Sequence, residues 1–108
     1  MRTEKEADRT PVIFRKWKGS EDVFALFPTI PADVNGQLVL SYEHIGQHGA
    51  ASLLIISETT PASEAEYADL KDELEKIGYD LVVYRRHQRW MDDERCKEVR
   101  DLNSEKRT

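Results

Sequence analysis

The chain has 108 residues, of which 39% are hydrophobic and 34% charged, and it carries a net charge of −5. That length fits one domain with a modest core and excludes separate substrate and cofactor domains. The only cysteine is Cys96, which excludes an internal disulfide or a multi-cysteine metal site and favours a reducing compartment. Because neither a signal-peptide core nor a membrane-length apolar run is present, the sequence predicts a cytoplasmic, non-membrane protein.

The charge is unevenly distributed along the chain. Residues 1–84 contain 8 basic and 15 acidic groups, whereas residues 85–108 contain 8 basic and 6 acidic groups. We therefore predict three parts: a flexible arm over 1–10, a single domain over 11–84, and a basic, mixed-charge tail over 85–108.

The first half of the domain has the composition of strands and turns. Residues rich in β-branched and aromatic types at 12–17 and 23–27 predict two strands that form a hairpin. A segment dense in proline, with Asn-Gly at its end, predicts a loop before a third strand over 37–42. The stretch 43–50 contains two glycines and predicts a turn, and the apolar run at 52–57 predicts a central fourth strand.

The second half begins with a helix signal. Ser63 and Glu66 have the spacing of a capping box, in which each side chain satisfies a backbone N–H at the helix start. An apolar stripe at helical spacing follows, and Gly78 suits the helix end: the stripe is Tyr67, Leu70, Leu74 and Ile77. Alternation over 79–83 predicts a fifth strand.

These elements predict an α+β fold of order β-β-β-β-α-β. One acidic amphipathic helix should pack on an antiparallel sheet to give two layers. In the tail, Cys96, Val99 and Leu102 fit a weak helix over 92–106 and an unstructured segment equally well.

His44 and His48 are the residues most suggestive of chemistry. On a helix, HxxxH places two imidazoles where they can share a zinc ion, with Glu43 or Glu58 as a further ligand. Gly46 instead favours a turn in which the rings have structural roles. Histidine can also exchange protons near neutral pH, but no nucleophile or phosphate-binding motif accompanies the pair. We predict no metal, no cofactor and no enzyme activity, with a small histidine- or metal-dependent enzyme as the least favoured alternative.

The predicted helix has a row of acids, which is either a solvated surface or a docking surface for a basic partner. Carboxylates on a rigid helix can imitate phosphates and attract a basic surface in a salt-dependent way. The predicted loop over 42–49 would add shape-specific contacts. The candidate partner-binding residues are Asp69, Asp72, Glu73, Glu75, Tyr42, His44, Gln47 and His48.

Two basic and aromatic patches support an alternative function, nucleic-acid binding. Basic side chains hold phosphates, and tryptophan stacks on bases. The simpler interpretation is a solvated sheet edge, where lysine and arginine discourage strand addition. The residues concerned are Arg15, Lys16 and Trp17 in the first strand, and Arg85, Arg86 and Arg89 after the fifth.

Four segments resemble a family of small uncharacterised proteins encoded by phages and integrated mobile elements of bacteria. They are VIFRKW at 12–17, ALFP at 25–28, SYEHIGQHGA at 41–50 and EYADL at 66–70. The resemblance covers about residues 11–84 and assigns no catalytic residue. It implies an accessory protein that inhibits or modulates a host protein, with anti-CRISPR and other anti-defence inhibitors as a prominent class. The expected partner is a host protein such as a nucleic-acid-binding nuclease, and exposed strand edges make a homodimer credible.

Overall fold

The computed structural model describes residues 9–43 and 47–106, which contain six strands and three helical segments. The strands are β1 Thr10–Trp17, β2 Val23–Pro31, β3 Leu38–Glu43, β4 Gln47–Ser52, β5 Thr59–Pro61 and β6 Leu81–Val83. A 3₁₀ helix spans Leu53–Glu58, and the two α-helices are α1 Glu64–Ile77 and α2 Arg89–Lys106. The predicted α+β class is confirmed.

All six strands form one sheet, and β1 lies inside it. The order runs β4-β3-β2-β1, with each neighbouring pair antiparallel. The other side of β1 is shared by two short strands. β5 pairs antiparallel with the end of β1, and β6 pairs parallel with its beginning. The sheet is therefore antiparallel as predicted, apart from the single parallel pairing of β6.

The predicted fourth strand was wrong in position. The strand is Gln47–Ser52, and the apolar run after it is the 3₁₀ helix. The Ser52 hydroxyl caps this helix by accepting a hydrogen bond from the Leu54 amide at 3.2 Å. Ile55 and Ile56 pack against the core while Leu54 is 81% exposed. A short apolar run does not distinguish a strand from a short helix by periodicity, and here pairing with β3 selected the residues before it.

One face of the sheet packs against α1, as predicted. The buried side chains on this face form the first core cluster, which includes Val12, Phe14, Ala25, Phe27 and Tyr42 from the sheet and Leu70 and Leu74 from α1. Tyr67 of α1 stacks on Phe14 with ring centroids 4.4 Å apart. Tyr67, Leu70 and Leu74 of the predicted apolar stripe thus form the buried side of this helix, whereas Ile77, the last residue of the stripe, is exposed.

The opposite face is also covered, which the two-layer prediction did not include. Its buried side chains form the second core cluster, Ile13, Phe24, Leu26, Val39 and Met91, with the 3₁₀ helix and α2 packed over the sheet. Val12 and Ile13 point to opposite faces because side chains alternate along a strand. The C-terminal segment is helical, begins three residues before the predicted start, and extends the core beyond residue 84.

A buried arginine fastens α2 to the sheet. Arg95 is 7% exposed and donates hydrogen bonds to the Pro28 carbonyl at 2.6 Å and the Gly36 carbonyl at 2.8 Å. It also donates to the Asp92 carboxylate at 2.8 Å, which lies 2.9 Å from the His87 ring. Arg95 therefore connects the β2–β3 segment to α2, and its bond to Asp92 also stabilises the first turns of α2.

The predicted arm over 1–10 lies outside the described residues except for Arg9 and Thr10. Both residues are bound to Asp80. The Thr10 amide donates to the Asp80 carbonyl at 2.7 Å, and Arg9 Nε lies 3.0 Å from the Asp80 carboxylate. Among the described helices, none combines the length and apolar character needed to cross a bilayer.

Candidate functional site: the acidic flank of α1 and the tyrosine–histidine cluster

α1 is fixed at both ends and along its buried side. The predicted capping box at Ser63 and Glu66 is present, and Gly78 ends the helix with φ of 127°, a conformation that favours glycine. Glu66 also meets Lys16 of β1 in an ion pair. The hydrogen bond from Lys16, together with those from Ser63, lowers the pKa of Glu66 to about 2. The charged groups on the exposed surface of α1 are therefore carried on a well-anchored helix.

One side of α1 carries three acids next to an exposed apolar residue. Asp69, Asp72 and Glu73 are spaced three and four residues apart, so they lie on one side of the helix, here called the acidic flank. With Lys76 and Ile77 they line an open depression of about 460 Å³. The Ile77 side chain is 52% exposed. An exposed apolar group with charged groups around it is the arrangement of many protein-binding surfaces.

Lys76 partly neutralises the acidic flank. Its ammonium lies 2.9 Å from the Asp72 carboxylate, and that hydrogen bond raises the pKa of Lys76. Glu75 is elsewhere on the helix and pairs with Lys71 at 3.7 Å. Because such exposed pairs contribute little energy, they can exchange for contacts with a partner at low cost.

Below the acidic flank, four side chains form a tyrosine–histidine cluster: Tyr42, His48, Glu73 and Tyr79. The hydroxyl of the buried Tyr42 donates to the Glu73 carboxylate at 2.5 Å. His48 Nε2 lies 2.9 Å from the Tyr79 hydroxyl, and the His48 ring sits edge-on to Tyr42 at 4.7 Å. Tyr79 also stacks on Phe27 at 4.9 Å. The cluster thus connects β2, β3, β4 and α1.

His48 and Tyr79 share one hydrogen bond within the cluster. Burial raises the pKa of Tyr79, so its hydroxyl stays protonated and either donates to His48 Nε2 or accepts from it, according to the histidine tautomer. Since His48 is exposed on β4, an approaching partner can contact it directly. The chemistry that this pair offers to a partner is hydrogen bonding.

The structure brings together part of the predicted partner-binding set. Tyr42, His48 and Glu73 are in contact, and Asp69 and Asp72 lie along the same side of α1 as Glu73. Glu75 is separated from them on the helix surface. Gln47 is the first residue of β4, and His44 lies outside the described residues. Sequence reasoning missed Tyr79, whose phenol joins the cluster from the segment between α1 and β6.

The residues considered for a metal site do not converge among those described. His48 is on β4, whereas Glu58 immediately precedes β5 at the opposite edge of the sheet. Glu43 is exposed at the end of β3. Within residues 9–43 and 47–106, no group of three or more histidine, cysteine or acidic side chains has a metal-binding arrangement.

Much of the basic patch on β1 is used inside the protein. Arg15 is buried and donates to the Thr59 hydroxyl at 2.9 Å, the Thr59 carbonyl at 2.7 Å and the Ile56 carbonyl at 2.8 Å. Burial lowers the pKa of Arg15. Lys16 is paired with Glu66, and Trp17 stacks on Phe24 at 5.4 Å and is 37% exposed. Arg15 thus holds β5 and the 3₁₀ helix on β1, Lys16 connects β1 to α1, and Trp17 packs on β2.

The second basic patch is accessible. Arg85 and Arg86 are exposed between β6 and α2, and Arg89 is exposed at the start of α2. Trp90 is half-buried, packs edge-on against Tyr84 at 5.3 Å, and donates to the Gln88 side chain at 2.7 Å. The arginines can therefore meet a ligand, while Trp90 is a structural residue.

Comparison with known proteins gives no relative from which a function could be transferred: no family model, curated protein or solved structure matches this chain.

Proposed function

We propose that this is a small non-catalytic binding protein whose acidic flank docks on a basic surface of a protein partner. The observation that carries the proposal is the position of Asp69, Asp72 and Glu73 around the exposed Ile77 on a helix anchored by Leu70 and Leu74. A helix held in this way loses little conformational freedom on binding, so its contacts contribute more to affinity.

Charge and apolar surface have different roles in this interface. The helix 64–77 carries six acidic and two basic residues, and thus supplies most of the net charge of −5. The attraction between this charge and a basic partner accelerates their encounter, and the attraction weakens as salt is added. Burial of Ile77, which lines the same depression as the acids, would supply affinity that does not depend on salt.

The partner class follows from charge and from the resemblance to mobile-element proteins. A row of carboxylates can occupy the basic groove in which a nuclease holds nucleic acid. We therefore propose a host nuclease of a defence system as the partner, with inhibition arising from occupation of that groove.

The test is capture of partners from the lysate of a bacterial host carrying its native defence systems, with and without nuclease treatment. The test variant combines Asp69→Asn, Asp72→Asn, Glu73→Gln and Glu75→Gln. Its matched control removes four exposed acids elsewhere, by Glu21→Gln, Asp93→Asn, Glu98→Gln and Asp101→Asn. The expected result is one nuclease-resistant protein partner that the control retains and the test variant loses. Equal capture by both variants would overturn the proposal.

A second candidate function, nucleic-acid binding, is favoured by the exposure of Arg85, Arg86 and Arg89. Its test is the fluorescence anisotropy of labelled DNA and RNA at several salt concentrations. Binding that weakens steeply with salt and is lost on replacing the three arginines by glutamine would support it. No binding at low salt would eliminate it.

A further inference from the structure

The outer edge of β4 is the least protected part of the sheet. β4 pairs with β3 over all six of its residues, from Gln47 opposite Glu43 to Ser52 opposite Leu38. It stands at the end of the strand order, and no other described strand pairs with it. On an edge strand, alternate backbone N–H and C=O groups face away from the sheet and can bind another chain.

The residues of β4 do little to block such pairing. His48, Gly49 and Ala50 are exposed, and the strand contains no proline, lysine, arginine or acid. The opposite edge is different, since β5 and β6 have only three residues each and β5 ends at Pro61. Short strands, proline and charge are the usual protections of a sheet edge. β4 has six residues paired in an unbroken register and none of these protections.

We infer that the edge of β4 accepts an extended basic segment of a partner protein as a seventh strand. Main-chain hydrogen bonds would provide affinity, and alternate side chains would provide specificity. The inference rests on the proposed function and deepens it by naming the form in which a basic partner is bound.

The direction of the side chains connects this edge to the acidic flank. His48 contacts Tyr42 and Tyr79 on the α1 side of the sheet, whereas Ala51 packs with the second core cluster on the other side. Ala50 thus belongs to the α1 side, because side chains alternate. In an added strand every second side chain would face the same way.

The contact made by Glu73 shows which part of α1 lies nearest to the side chains of β3 and β4 on this face. Its carboxylate is bound by Tyr42, the β3 residue paired with His48 of β4. The Glu73 end of the acidic flank is therefore directed toward β3, the strand next to β4. Lysine or arginine at alternate positions of an added strand would meet these carboxylates, which is why the segment should be basic.

A second copy of this chain fits the edge less well. β4 contains no lysine or arginine, so a copied strand would bring no cation to the acidic flank. Pairing two β4 strands would also place two acidic flanks near each other in a complex of two chains that each carry −5. Like charges brought together in this way oppose association.

The first test uses a fluorescein-labelled nine-residue peptide of alternating lysine and valine, with binding measured by anisotropy. The control is the same peptide with its central backbone amides N-methylated, which keeps the side chains and charge but removes the donors. At least tenfold weaker binding of the methylated peptide is expected. Equal binding of the two peptides would overturn the inference, because it would show attraction without strand pairing.

The second test changes the protein. Backbone amides of β4 point alternately outward and toward β3, so Ala50→Pro and Ala51→Pro each remove a different kind of N–H. One of the two variants loses an outward-facing donor and keeps its pairing with β3. The variant that keeps the native circular dichroism spectrum is used, and Ala50→Lys serves as a second blocking variant that adds a cation at an exposed position. At least tenfold weaker binding of the unmethylated peptide is expected, and unchanged binding would contradict the inference.

The result can be separated from that of the proposed function. Loss of partner capture by the acidic test variant, with equal binding of both peptides, would leave the docking function and remove strand addition. Loss of peptide binding on methylation and in Ala50→Lys, with undiminished partner capture by the acidic variant, would keep strand addition and remove the docking function. A dimer in sedimentation velocity that Ala50→Lys dissociates would assign the edge to a second copy and overturn the inference.

Discussion

Arg95 connects three parts of the chain through one side chain. Its guanidinium binds the Pro28 carbonyl at the bend of β2, the Gly36 carbonyl in the following loop and Asp92 on its own helix. Asp92, three residues before Arg95, is a partner that the sequence offers, but no local motif predicts that this arginine is buried while Arg100 is exposed. A buried arginine is recognised by what surrounds it, and the two carbonyls that Arg95 binds are 59 and 67 residues away along the chain.

Replacing this arginine should be costly. Arg95→Ala leaves two buried carbonyls without donors, so the free energy of unfolding should fall by about 3 kcal/mol. Chemical denaturation monitored by circular dichroism measures the change. Arg100→Ala, an exposed change on the same helix, should cost less than about 0.5 kcal/mol. An equal loss of unfolding free energy in the two variants would show that Arg95 does not stabilise the β2–β3 connection.

Glu66 should make the protein sensitive to acid. Its pKa falls from an ordinary 4.5 to about 2 in the folded state, so the unfolded chain binds more protons between these values. The stability contributed by this carboxylate is therefore fully present above pH 4.5 and is lost as the pH falls toward 2. Glu66→Gln should show a smaller loss of stability over that range in urea titrations at successive pH values. Glu64→Gln, in the same exposed turn, is the control, and an unchanged acid profile of Glu66→Gln would contradict the assignment.

At the level of elements, α1 and β4 show what the sequence could and could not predict. The limits of α1 were predictable because its signals are local: a capping serine, a glutamate three residues later and a terminal glycine. β4 has weak strand formers at Gly49, Ala50 and Ala51, and only pairing with β3 makes it a strand. Such pairing is a tertiary effect that overrides local preference, so the more apolar run after it was wrongly assigned.

The same contrast between local signals and tertiary contacts explains which parts of the candidate site could be predicted from the sequence. The acids of α1 could be placed on the helix surface from their spacing, whereas the contact of Glu73 with Tyr42 depends on how the helix crosses the sheet. Tyr79 lay in a predicted strand, and nothing local to it indicated a contact with His48.

The positions of α2 and the 3₁₀ helix can be tested with two matched truncations. Met91 is fully buried in the second core cluster, whereas Leu54 is 81% exposed. Met91→Ala should lower the free energy of unfolding by about 2–4 kcal/mol through lost burial and a residual cavity. Leu54→Ala should change it by less than about 0.5 kcal/mol. If urea denaturation gave similar losses of unfolding free energy for the two variants, Leu54 of the 3₁₀ helix would face the core.

For the whole molecule, the important feature is that one sheet serves two cores. The first core cluster holds Leu74 of α1, and the second holds Met91 of α2, on opposite faces of the same strands. Because β1 and β2 contribute side chains to both, loss of either cluster exposes the layer on which the other depends. The chain should consequently unfold as a single unit.

This cooperativity gives a further prediction. Leu74→Ala and Met91→Ala should each destabilise the protein, and the loss in the double variant should equal the sum of the two to within about 0.5 kcal/mol, because the two residues belong to different core clusters. Tryptophan fluorescence, which reports on the α2 side through Trp90, and far-ultraviolet circular dichroism should give coincident transitions. Two separate transitions, with one variant affecting only one of them, would mean that the two faces unfold independently.

The position of β1 between early and late strands also sets the timing of folding during synthesis. β1 begins at Thr10, yet the strand that completes its first half begins at Leu81, and the helix that covers its second face follows later still. At ordinary translation rates roughly 4 to 14 s separate the synthesis of these segments. During that interval α2 is missing, so the apolar face of the β1–β2 hairpin that forms the second core cluster stays incompletely covered and can bind chaperones until this helix has emerged.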